Sequence, residues 1–483
     1  MPRILCSLLG IVCSVVATCL ASAAEEAAGR PPNIVFILAD DLGYTDLGCY
    51  GSKYYETPNI DRLAAEGVRF TDGYTCGPNC QPTRAALHSG QYGPRTGMYT
   101  VGNVDRFNWQ SRPLRPVENV TKLPLNVVTM AQALQQSGYA TGMFGKWHLG
   151  NDPEHHPSQR GFDEAIVSEG VHFGFATTPK TDYPSGTYLA DFLTDKAIDF
   201  VERHQAQPFC LYLPHFAVHS PLQAKPKLIE RFEAKDAADG HNNPTYAAMI
   251  ASLDESVGRI LAALDRLKLA ENTLVVFSSD NGGVGGYERL GISGKDVTDN
   301  SPLRGGKGML YEGGIRVPYI FRWPGTIPGQ RAVDTPILSV DLYPTLLDIA
   351  RGKRPTGHSL DGVSYASVLR NPGQTTLARD AIYWHFPGYL GAGRGTWRTT
   401  PAGAVRSGQW KLLEFFEDGR LELYHLAEDV GETKNLVKEH PEKAKELQAK
   451  LAKWRLETGA KLPTANTPID KPPAKRAKGK RRP

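Results

Sequence analysis

The segment 80–90, Cys-Gln-Pro-Thr-Arg-Ala-Ala-Leu-His-Ser-Gly, has the features of a helix that begins at a cysteine. Pro82 is followed by good helix formers, which predicts that Cys80 lies in the first turn. Unpaired backbone N–H groups and the helix dipole favour a bound anion or an activated nucleophile at that position. Arg84, four residues further on, faces the same side. The plainer interpretation is a helix start with a buried thiol and a solvated arginine.

Two pairs of oxygen-bearing side chains directly follow predicted strands. Asp40 and Asp41 end one apolar run, and Asp280 and Asn281 end another. Because the carboxyl ends of parallel strands meet at one edge of a sheet, the two pairs are expected to converge. Carboxylate and amide oxygens suit a hard cation such as Ca²⁺ or Mg²⁺ rather than zinc. The alternatives are helix capping for the aspartates and a tight turn for the asparagine.

Two lysines and two histidines are candidates for binding an anion. Lys146 and His148 follow a predicted strand, and in an extended chain alternate side chains point the same way. His219 follows another predicted strand. Lys307 lies in a glycine-dense run, where backbone and lysine can approach an anion closely. Solvated lysines, structural histidines and a flexible surface loop are the alternatives, and Arg316 in the same run is expected to hold structure.

Together these segments resemble the type I sulfatase family. Cys-Gln-Pro-Thr-Arg resembles the Cys-x-Pro-Ser/Thr-Arg core of that family's signature, in which the cysteine is oxidised to formylglycine. Asp-Asp-Leu-Gly at 40–43 and Asp-Asn-Gly at 280–282 are similar to the family's metal-ligand motifs. Its sulfate-binding and histidine segments resemble Gly-Lys-Trp-His-Leu-Gly at 145–150, Val-His-Ser-Pro at 218–221 and Pro-Leu-Arg-Gly-Gly-Lys at 302–307.

The resemblance implies a role for each of these residues. Hydrated formylglycine at position 80 would supply the nucleophile, Ca²⁺ is implied in preference to Mg²⁺, and a formylglycine-generating enzyme is the implied modifying partner. The implied metal ligands are Asp40, Asp41, Cys80, Asp280 and Asn281. The implied sulfate-binding residues are Lys146, Lys307 and His219. The implied catalytic residues are Cys80, Arg84 steadying the hydrate, His148 as the base and His219 assisting the leaving group.

The resemblance implies hydrolysis of sulfate esters, with a sulfated small molecule or glycan as substrate. Aromatic and arginine residues at 154–163, 172–188 and 384–398, the expected pocket walls, suit a carbohydrate. One alternative is a formylglycine-dependent phosphodiesterase or phosphonate hydrolase of the same superfamily, which the Gly-Lys-Trp-His and Pro-Leu-Arg-Gly-Gly-Lys segments disfavour. The other is a non-catalytic sulfoglycan-binding protein, which the complete set of ligands and nucleophile disfavours.

The elements that must position these side chains alternate between strand and helix. This alternation predicts an α/β fold with a mostly parallel sheet covered on both faces, and the resemblance implies a large mixed sheet sandwiched by helices, alkaline-phosphatase-like. After about residue 351, strand candidates at 404–414 and 421–426 and a charged helix at 441–457 predict a smaller antiparallel sheet with one helix. The main predicted strands are 33–39, 140–144, 209–213, 273–279 and 318–321, and the main predicted helices are 57–67, 189–204, 246–267 and 342–350.

Length and composition are those of an ordinary globular protein. The 483 residues, 41% of them hydrophobic, exceed the roughly 250–300 that one core supports. The net charge of +4 comes from the basic end, 471–483, so the mildly acidic body gives no reason to expect a nucleic-acid partner. The predicted domains are a signal peptide at 1–23, a catalytic domain at 31–375, a C-terminal subdomain at 376–462 and a disordered basic tail at 463–483.

The chain ends and the cysteines indicate the compartment. An apolar run that follows Arg3 and ends in small residues predicts an export signal, hence a periplasmic or extracellular protein, with a lipoprotein as the weaker alternative. No later run approaches the ~20 apolar residues of a spanning helix, so stable membrane insertion is not expected. The remaining four cysteines are too few for a disulfide scaffold, although Cys76 and Cys80 could pair locally or bind metal.

Overall fold

The apolar run Asn33–Ala39 forms the central strand of an α/β fold in the computed structural model. All seven of its residues are buried, because strands flank it and helices cover both faces of the sheet. It pairs in parallel with Phe209–Pro214 on one side and with Thr273–Ser279 on the other. The structure describes residues 29–292, 294–373, 376–393 and 396–467. The predicted signal peptide, 1–23, lies outside these ranges.

Eight of the strands build the large sheet. The strands of the described residues are β1 (Asn33–Ala39), β2 (Val68–Phe70), β3 (Gly73–Tyr74), β4 (Leu114–Arg115), β5 (Ala140–Gly145), β6 (Glu164–Val167), β7 (Phe209–Pro214), β8 (Thr273–Ser279), β9 (Tyr319–Arg322), β10 (Arg331–Val333), β11 (Ile337–Leu338), β12 (Ile382–Phe386), β13 (Leu390–Gly393), β14 (Thr396–Thr399), β15 (Ala402–Ser407), β16 (Trp410–Phe415), β17 (Leu421–His425) and β18 (Thr464–Ala465). The large sheet has the order β10-β2-β9-β8-β1-β7-β5-β6. Within it, β9 runs antiparallel to both of its neighbours and the other pairs are parallel. The predicted mixed, mostly parallel sheet is confirmed.

Helices pack on both faces of this sheet. The helices are α1 (Pro58–Ala65), α2 (Cys80–Ser89), α3 (Gly93–Thr96), α4 (Met130–Gln136), α5 (Leu189–His204), α6 (Pro226–Glu233), α7 (Pro244–Arg266), α8 (Glu312–Ile315), α9 (Ser339–Ile349), α10 (Ala366–Arg370) and α11 (Pro441–Thr458). On one face α5 and α7 bury apolar residues spaced three or four positions apart, and on the other α4 and α9 do so, whereas α2 is buried along its whole length. No described helix has the length and apolar content needed to cross a membrane.

The C-terminal part is a small antiparallel sheet with one helix, as predicted. Strands β12, β15, β16 and β17 pair in that order, and α11 packs against them. The prediction of a single strand at 404–414 is wrong, because Ser407 pairs with Trp410 and the chain turns between them to form a hairpin. Gly408 adopts a left-handed φ of 57° in this turn, a conformation that glycine reaches without steric cost.

Fully buried charges join the two parts of the chain. The Lys411 ammonium, on β16, lies 2.8 Å from carboxylate oxygens of both Glu312 and Glu432. Arg316 pairs with Glu312 at 3.3 Å and with Asp72 at 3.1 Å, in keeping with its expected structural role. Since Glu312 begins the short helix just after the segment that carries Lys307, the small sheet is fastened directly to a candidate site segment.

The chain after the last helix returns to the larger part of the molecule. Thr464–Ala465 pairs antiparallel with Leu114–Arg115, and the Asn466 side chain donates to the carbonyl oxygens of Gln110 and Arg112. The predicted disordered tail, 463–483, therefore needs a correction at its start, because main-chain hydrogen bonds order residues 464 and 465. The rest of the predicted tail, from residue 468, lies outside the described ranges.

Replacing Lys411 by methionine should destabilise the protein strongly. The substitution leaves two buried carboxylates without their shared cation, which costs about 3–5 kcal/mol in comparable buried pairs. The measurement is the free energy of unfolding from urea denaturation. The matched control is Lys445→Met, which removes an exposed pair with Glu442 and should cost about 0.5 kcal/mol or less. Equal stability of the two variants would contradict the expectation.

Candidate active site

The ends of two neighbouring strands bring three carboxylates together. Asp40 and Asp41 follow β1, and Asp280 and Asn281 follow β8, its parallel neighbour. The backbone N–H of Asp41 donates to Asp280 Oδ1 at 3.2 Å, and Asn281 Nδ2 donates to Asp41 Oδ1 at 2.8 Å. All four side chains are buried, at 2% exposure or less. The convergence predicted from the strand ends is therefore present.

Cys80 lies in the first turn of α2, as the proline pattern predicts, and faces this group. Burial raises the pKa of its thiol, and the nearby Lys146 and Lys307 only partly oppose that effect. Burial therefore opposes the activation that a helix start favours. All described cysteines, Cys76 and Cys80 among them, are free, so the alternative of a local disulfide is wrong.

Arg84 binds two of the clustered carboxylates through its guanidinium. Its guanidinium donates twice to Asp280 Oδ2, at 2.9 and 2.7 Å, and once to the Lys146 carbonyl oxygen at 2.8 Å. It also lies 3.9 Å from Asp40 Oδ2. The side chain is completely buried, so the solvated arginine of the plainer interpretation is wrong. These contacts place Arg84 as a support of the acidic residues.

The acidic group fits a divalent cation. Ligand atoms of Asp40, Cys80 and Asp280 all lie within 4.8 Å of one another, as do those of Asp40, Asp41 and His219. Asp40 Oδ1 and Asn281 Oδ1 are buried without a hydrogen-bond partner, although buried oxygens are normally satisfied. Unsatisfied carboxylate and amide oxygens that converge in this way are suitable ligands for a hard cation.

Two lysines from distant segments neutralise the first aspartate pair. Lys146 Nζ lies 2.6 Å from Asp40 Oδ2, and Lys307 Nζ lies 2.7 Å from the Asp41 carboxylate. Burial alone would raise the pKa of Asp40, but the positive charges of Lys146, His219 and Arg84 hold that pKa well below its usual value. The lysines consequently remain charged beside a cavity, where they could meet an anion.

Both predicted histidines reach the same cavity. His219 Nε2 lies 3.6 Å from Asp41 Oδ2, and its Nδ1 lies 2.6 Å from the Ser220 carbonyl oxygen. Burial and the charge of Lys146 lower the pKa of His148 well below its usual range, because both disfavour the protonated imidazole. The backbone at His148 is left-handed, with a φ of 63°, so the expected extended chain is wrong although both side chains still line the cavity.

The glycine-dense segment 302–316 packs its backbone directly against the carboxylate loop. Gly282 N donates to Gly314 O at 3.1 Å, and Lys307 N donates at 3.0 Å to the carbonyl oxygen of the residue after Gly282. A Cβ added at Gly282 would lie 1.9 Å from Gly313 O, a distance that no side chain tolerates. Glycine is therefore required here for close approach, and this approach sets the distance from Lys307 to the aspartates.

A cavity of about 670 Å³ opens above these groups. Sequence motifs identified Cys80, Lys146, His148, His219 and Lys307 among its lining. Of the three segments expected to form walls, only 384–398 contributes, because the structure places 154–163 and 172–188 elsewhere. Ser220, from the histidine segment, also lines it. The lining residues that no motif indicated are Asn79, Val101, Arg106, Phe107, Glu169, Gly170 and Phe216, and those from the confirmed wall segment are Leu390, Gly391 and Arg398.

The fold and this site together define a hydrolase of anionic esters, and comparison with known families specifies the ester. The family model described as Sulfatase matches residues 32–353, well over half of the chain, so the chain belongs to the sulfatase family. A second model, described as N-sulphoglucosamine sulphohydrolase, C-terminal, matches residues 306–460. The protein is accordingly a sulfuric ester hydrolase, as the sequence predicted.

The similarity extends over most of the chain. This chain is 35% identical to a sulfatase of Formosa agariphila over an alignment that covers 91% of each chain. It is 32% identical to the steryl-sulfatase of Mus musculus over an alignment that covers 84% of this chain and 78% of the relative. The crystal structure of Ps i-CgsB in complex with k-i-k-neocarrahexaose superposes with a TM-score of 0.74 at 30% identity, covering 89% of this chain and 94% of the other. The fold class is thereby confirmed.

Replacing Gly282 by alanine should reduce sulfate ester hydrolysis at least about a hundredfold while the fold is retained. The added methyl group pushes the Lys307 segment away from the aspartates, and a displacement near 1 Å can cost that factor. Initial rates on an aryl sulfate, together with far-UV circular dichroism, test this. Gly294→Ala is the control, since its nearest neighbouring atom would be 3.9 Å away. Unchanged activity in Gly282→Ala would refute the required close approach.

Proposed function

We propose that this sulfatase removes sulfate from carbohydrates and uses formylglycine formed at Cys80 together with Ca²⁺. The observation that carries the proposal is the convergence of three carboxylates, one amide oxygen and Cys80 beside two lysines in one cavity. A sulfate ester requires cations around its oxygens and a nucleophile in line with the departing alcohol. This chain provides both kinds of group around one cavity, because Cys80 lies within 4.8 Å of Asp40 and the lysines pair with Asp40 and Asp41.

The size of the cavity and one structural neighbour support a sugar substrate. About 670 Å³ exceeds what a sulfate group needs and leaves room for at least one sugar ring. Ps i-CgsB, 30% identical to this chain, has been crystallised in complex with the oligosaccharide k-i-k-neocarrahexaose. Phe107 offers an aromatic face at the cavity wall, where a sugar ring could pack.

Two groups would be held by the acidic cluster. Asp40, Asp41, Asp280 and Asn281 would ligate Ca²⁺, which when bound neutralises negative charge on the sulfonyl oxygens. Formylglycine at position 80, formed by a formylglycine-generating enzyme, supplies when hydrated a hydroxyl nucleophile at the start of α2. The helix N-terminus favours negative charge at this position.

The remaining residues act on the substrate through charge and proton transfer. Lys146 and Lys307 hold the sulfonyl oxygens, because both ammonium groups are fixed by aspartates at the base of the cavity. His219, whose side chain is 25% exposed, protonates the departing alcohol oxygen. His148, which lines the cavity and whose neutral form is favoured by burial, is the group that accepts a proton when sulfate is released. Arg84 contributes by fixing Asp280.

The proposal places the enzyme outside the cytoplasm. The apolar leader with its small-residue cleavage pattern predicts export to the periplasm or the extracellular medium. Modification by a formylglycine-generating enzyme would then precede or accompany export, while the segment around Cys80 is still unfolded and accessible. In the folded chain the Cys80 side chain is 2% exposed, which would hinder a modifying enzyme.

Protein made in a host that modifies sulfatases should carry an aldehyde at position 80. Mass spectrometry of the peptide that spans residues 80–84 should show a lower mass than the unmodified cysteine peptide. Cys80→Ala should abolish sulfate release, because no nucleophile remains, whereas Cys210→Ala, which alters another buried free cysteine, should retain it. An unmodified thiol in fully active protein would overturn the mechanism. Faster turnover of a phosphate diester than of any sulfate ester would indicate the phosphodiesterase alternative.

Ca²⁺ should stabilise the protein through the acidic cluster. At a hundred times its dissociation constant a ligand stabilises the folded state by about 2.7 kcal/mol, seen as a higher unfolding midpoint. Calorimetric titration and thermal unfolding in Ca²⁺, Mg²⁺ and Zn²⁺ test both binding and selectivity without reference to activity. Asp40→Ala should remove the response, and Asp239→Ala, at an exposed aspartate, should preserve it. An undiminished Ca²⁺ response in Asp40→Ala would place the cation elsewhere.

A further inference from the structure

The charges at the base of the cavity already balance one another. Lys146 faces Asp40 and Lys307 faces Asp41, at 2.6 and 2.7 Å. A third ion pair joins the buried Arg84 to Asp280. A divalent cation and a single sulfate ester added to this base require no further positive charge from the walls. Any unpaired cation on the walls therefore needs a separate explanation.

Arg398 is one such cation. It lies on strand β14, lines the cavity, and stacks on the buried Tyr287 ring with its guanidinium carbon 4.2 Å from the centroid. The Tyr287 hydroxyl in turn donates to the Lys307 carbonyl oxygen at 2.7 Å, so Arg398 is fixed beside the segment that is proposed to bind sulfate. Its Nε is buried without a hydrogen-bond partner, and no ion pair within the described ranges involves it.

Arg106 is the second cation on the cavity walls that has no ion-pair partner in the described part of the chain. It lines the same cavity, its guanidinium donates to the Val101 carbonyl oxygen, and its carbon lies 5.3 Å from the centroid of Phe107. Among the residues that the structure describes, no carboxylate pairs with it either. Phe107 contacts Trp397, at 6.3 Å between ring centroids, so the segment bearing Arg106 packs against the strand bearing Arg398.

We propose, on the basis of the proposed function, that Arg106 and Arg398 bind a second anionic group of the substrate, a sulfate or a carboxylate on the same or the adjacent sugar. Two unpaired guanidinium groups that face one cavity repel each other unless an anion lies between or beside them. The planar fork of arginine matches the paired oxygens of sulfate and carboxylate. Among the described lining residues Glu169 is the one carboxylate outside the acidic cluster, and it forms no ion pair with either arginine.

This assignment narrows the substrate class to polyanionic glycans. A sugar with one sulfate would use only the base of the cavity, whereas a disulfated or uronic-acid-containing sugar would also engage the walls. Since charge-assisted hydrogen bonds to arginine are among the stronger polar contacts, we expect about a tenfold or larger preference for the doubly charged substrate. The preference should decrease with added salt, because one contributor, Arg106, is exposed.

The test compares matched ligands on the full-length protein. Each member of a panel of monosulfated hexosides and disaccharides is paired with its disulfated and its uronic-acid-containing counterpart. Calorimetry with the Cys80→Ala variant measures binding without turnover, and kcat/KM is measured with the modified enzyme. Arg398→Gln and Arg106→Gln should each lower the ratio of doubly to singly charged ligand about tenfold, and Arg354→Gln, at an exposed arginine that does not line the cavity, should leave the ratio unchanged.

The outcomes separate the two proposals. The absence of any preference for doubly charged ligands in the unsubstituted protein, or an equal loss on both members of each pair in the arginine variants, would overturn the second-anion assignment. The carboxylate and disulfate arms show which anion is recognised. Failure of the modified enzyme to release sulfate from every panel member would instead overturn the proposed function. Arg106→Gln keeps the test valid if loss of the Arg398 stacking contact impairs folding, since Arg106 is exposed.

Discussion

Three buried carboxylates at one end of the central sheet are the constraint on which the site depends. Asp40, Asp41 and Asp280 would repel one another strongly at such short range in a medium from which water is excluded. Arg84 and two lysines offset this repulsion, and each comes from a different part of the chain: a helix, a strand end and the glycine-dense segment. In the folded structure these cations therefore serve as counterions of the carboxylates. The same geometry makes them available to an anionic substrate.

Balanced charges of this kind explain why glycines are concentrated beside the site. The Lys307 ammonium lies 2.7 Å from the Asp41 carboxylate, and the backbone of the segment that carries Lys307 is hydrogen-bonded to the loop after Asp280. At Gly282 the space for a side chain is already occupied by a carbonyl oxygen 1.9 Å from where the Cβ would lie. The absence of a side chain at Gly282 thus lets the segment that carries Lys307 pack against the loop that carries Asp280.

The sequence predicted the base of the site well and its walls poorly. Asp40 and Asp280 could be placed because strand ends are recognisable from apolar runs and parallel strands share an edge. Arg106 and Glu169 could not, since they lie in segments without a periodic pattern and reach the cavity only through tertiary packing. The hairpin turn at Gly408 was missed for a related reason: both of its strands contain apolar runs, and one glycine between them does not by itself distinguish a turn from a continuous strand.

The division between base and walls corresponds to a division of function along the chain. The carboxylates and lysines all lie before residue 310, within the segment that the sulfatase model matches, whereas Arg398 belongs to the C-terminal part. That part is joined to the site segment by the buried ion pair between Lys411 and Glu312. If substrate recognition resides mainly there and in the 101–107 segment, then exchanging wall residues should change which glycan is bound while the sulfate chemistry at the base is preserved.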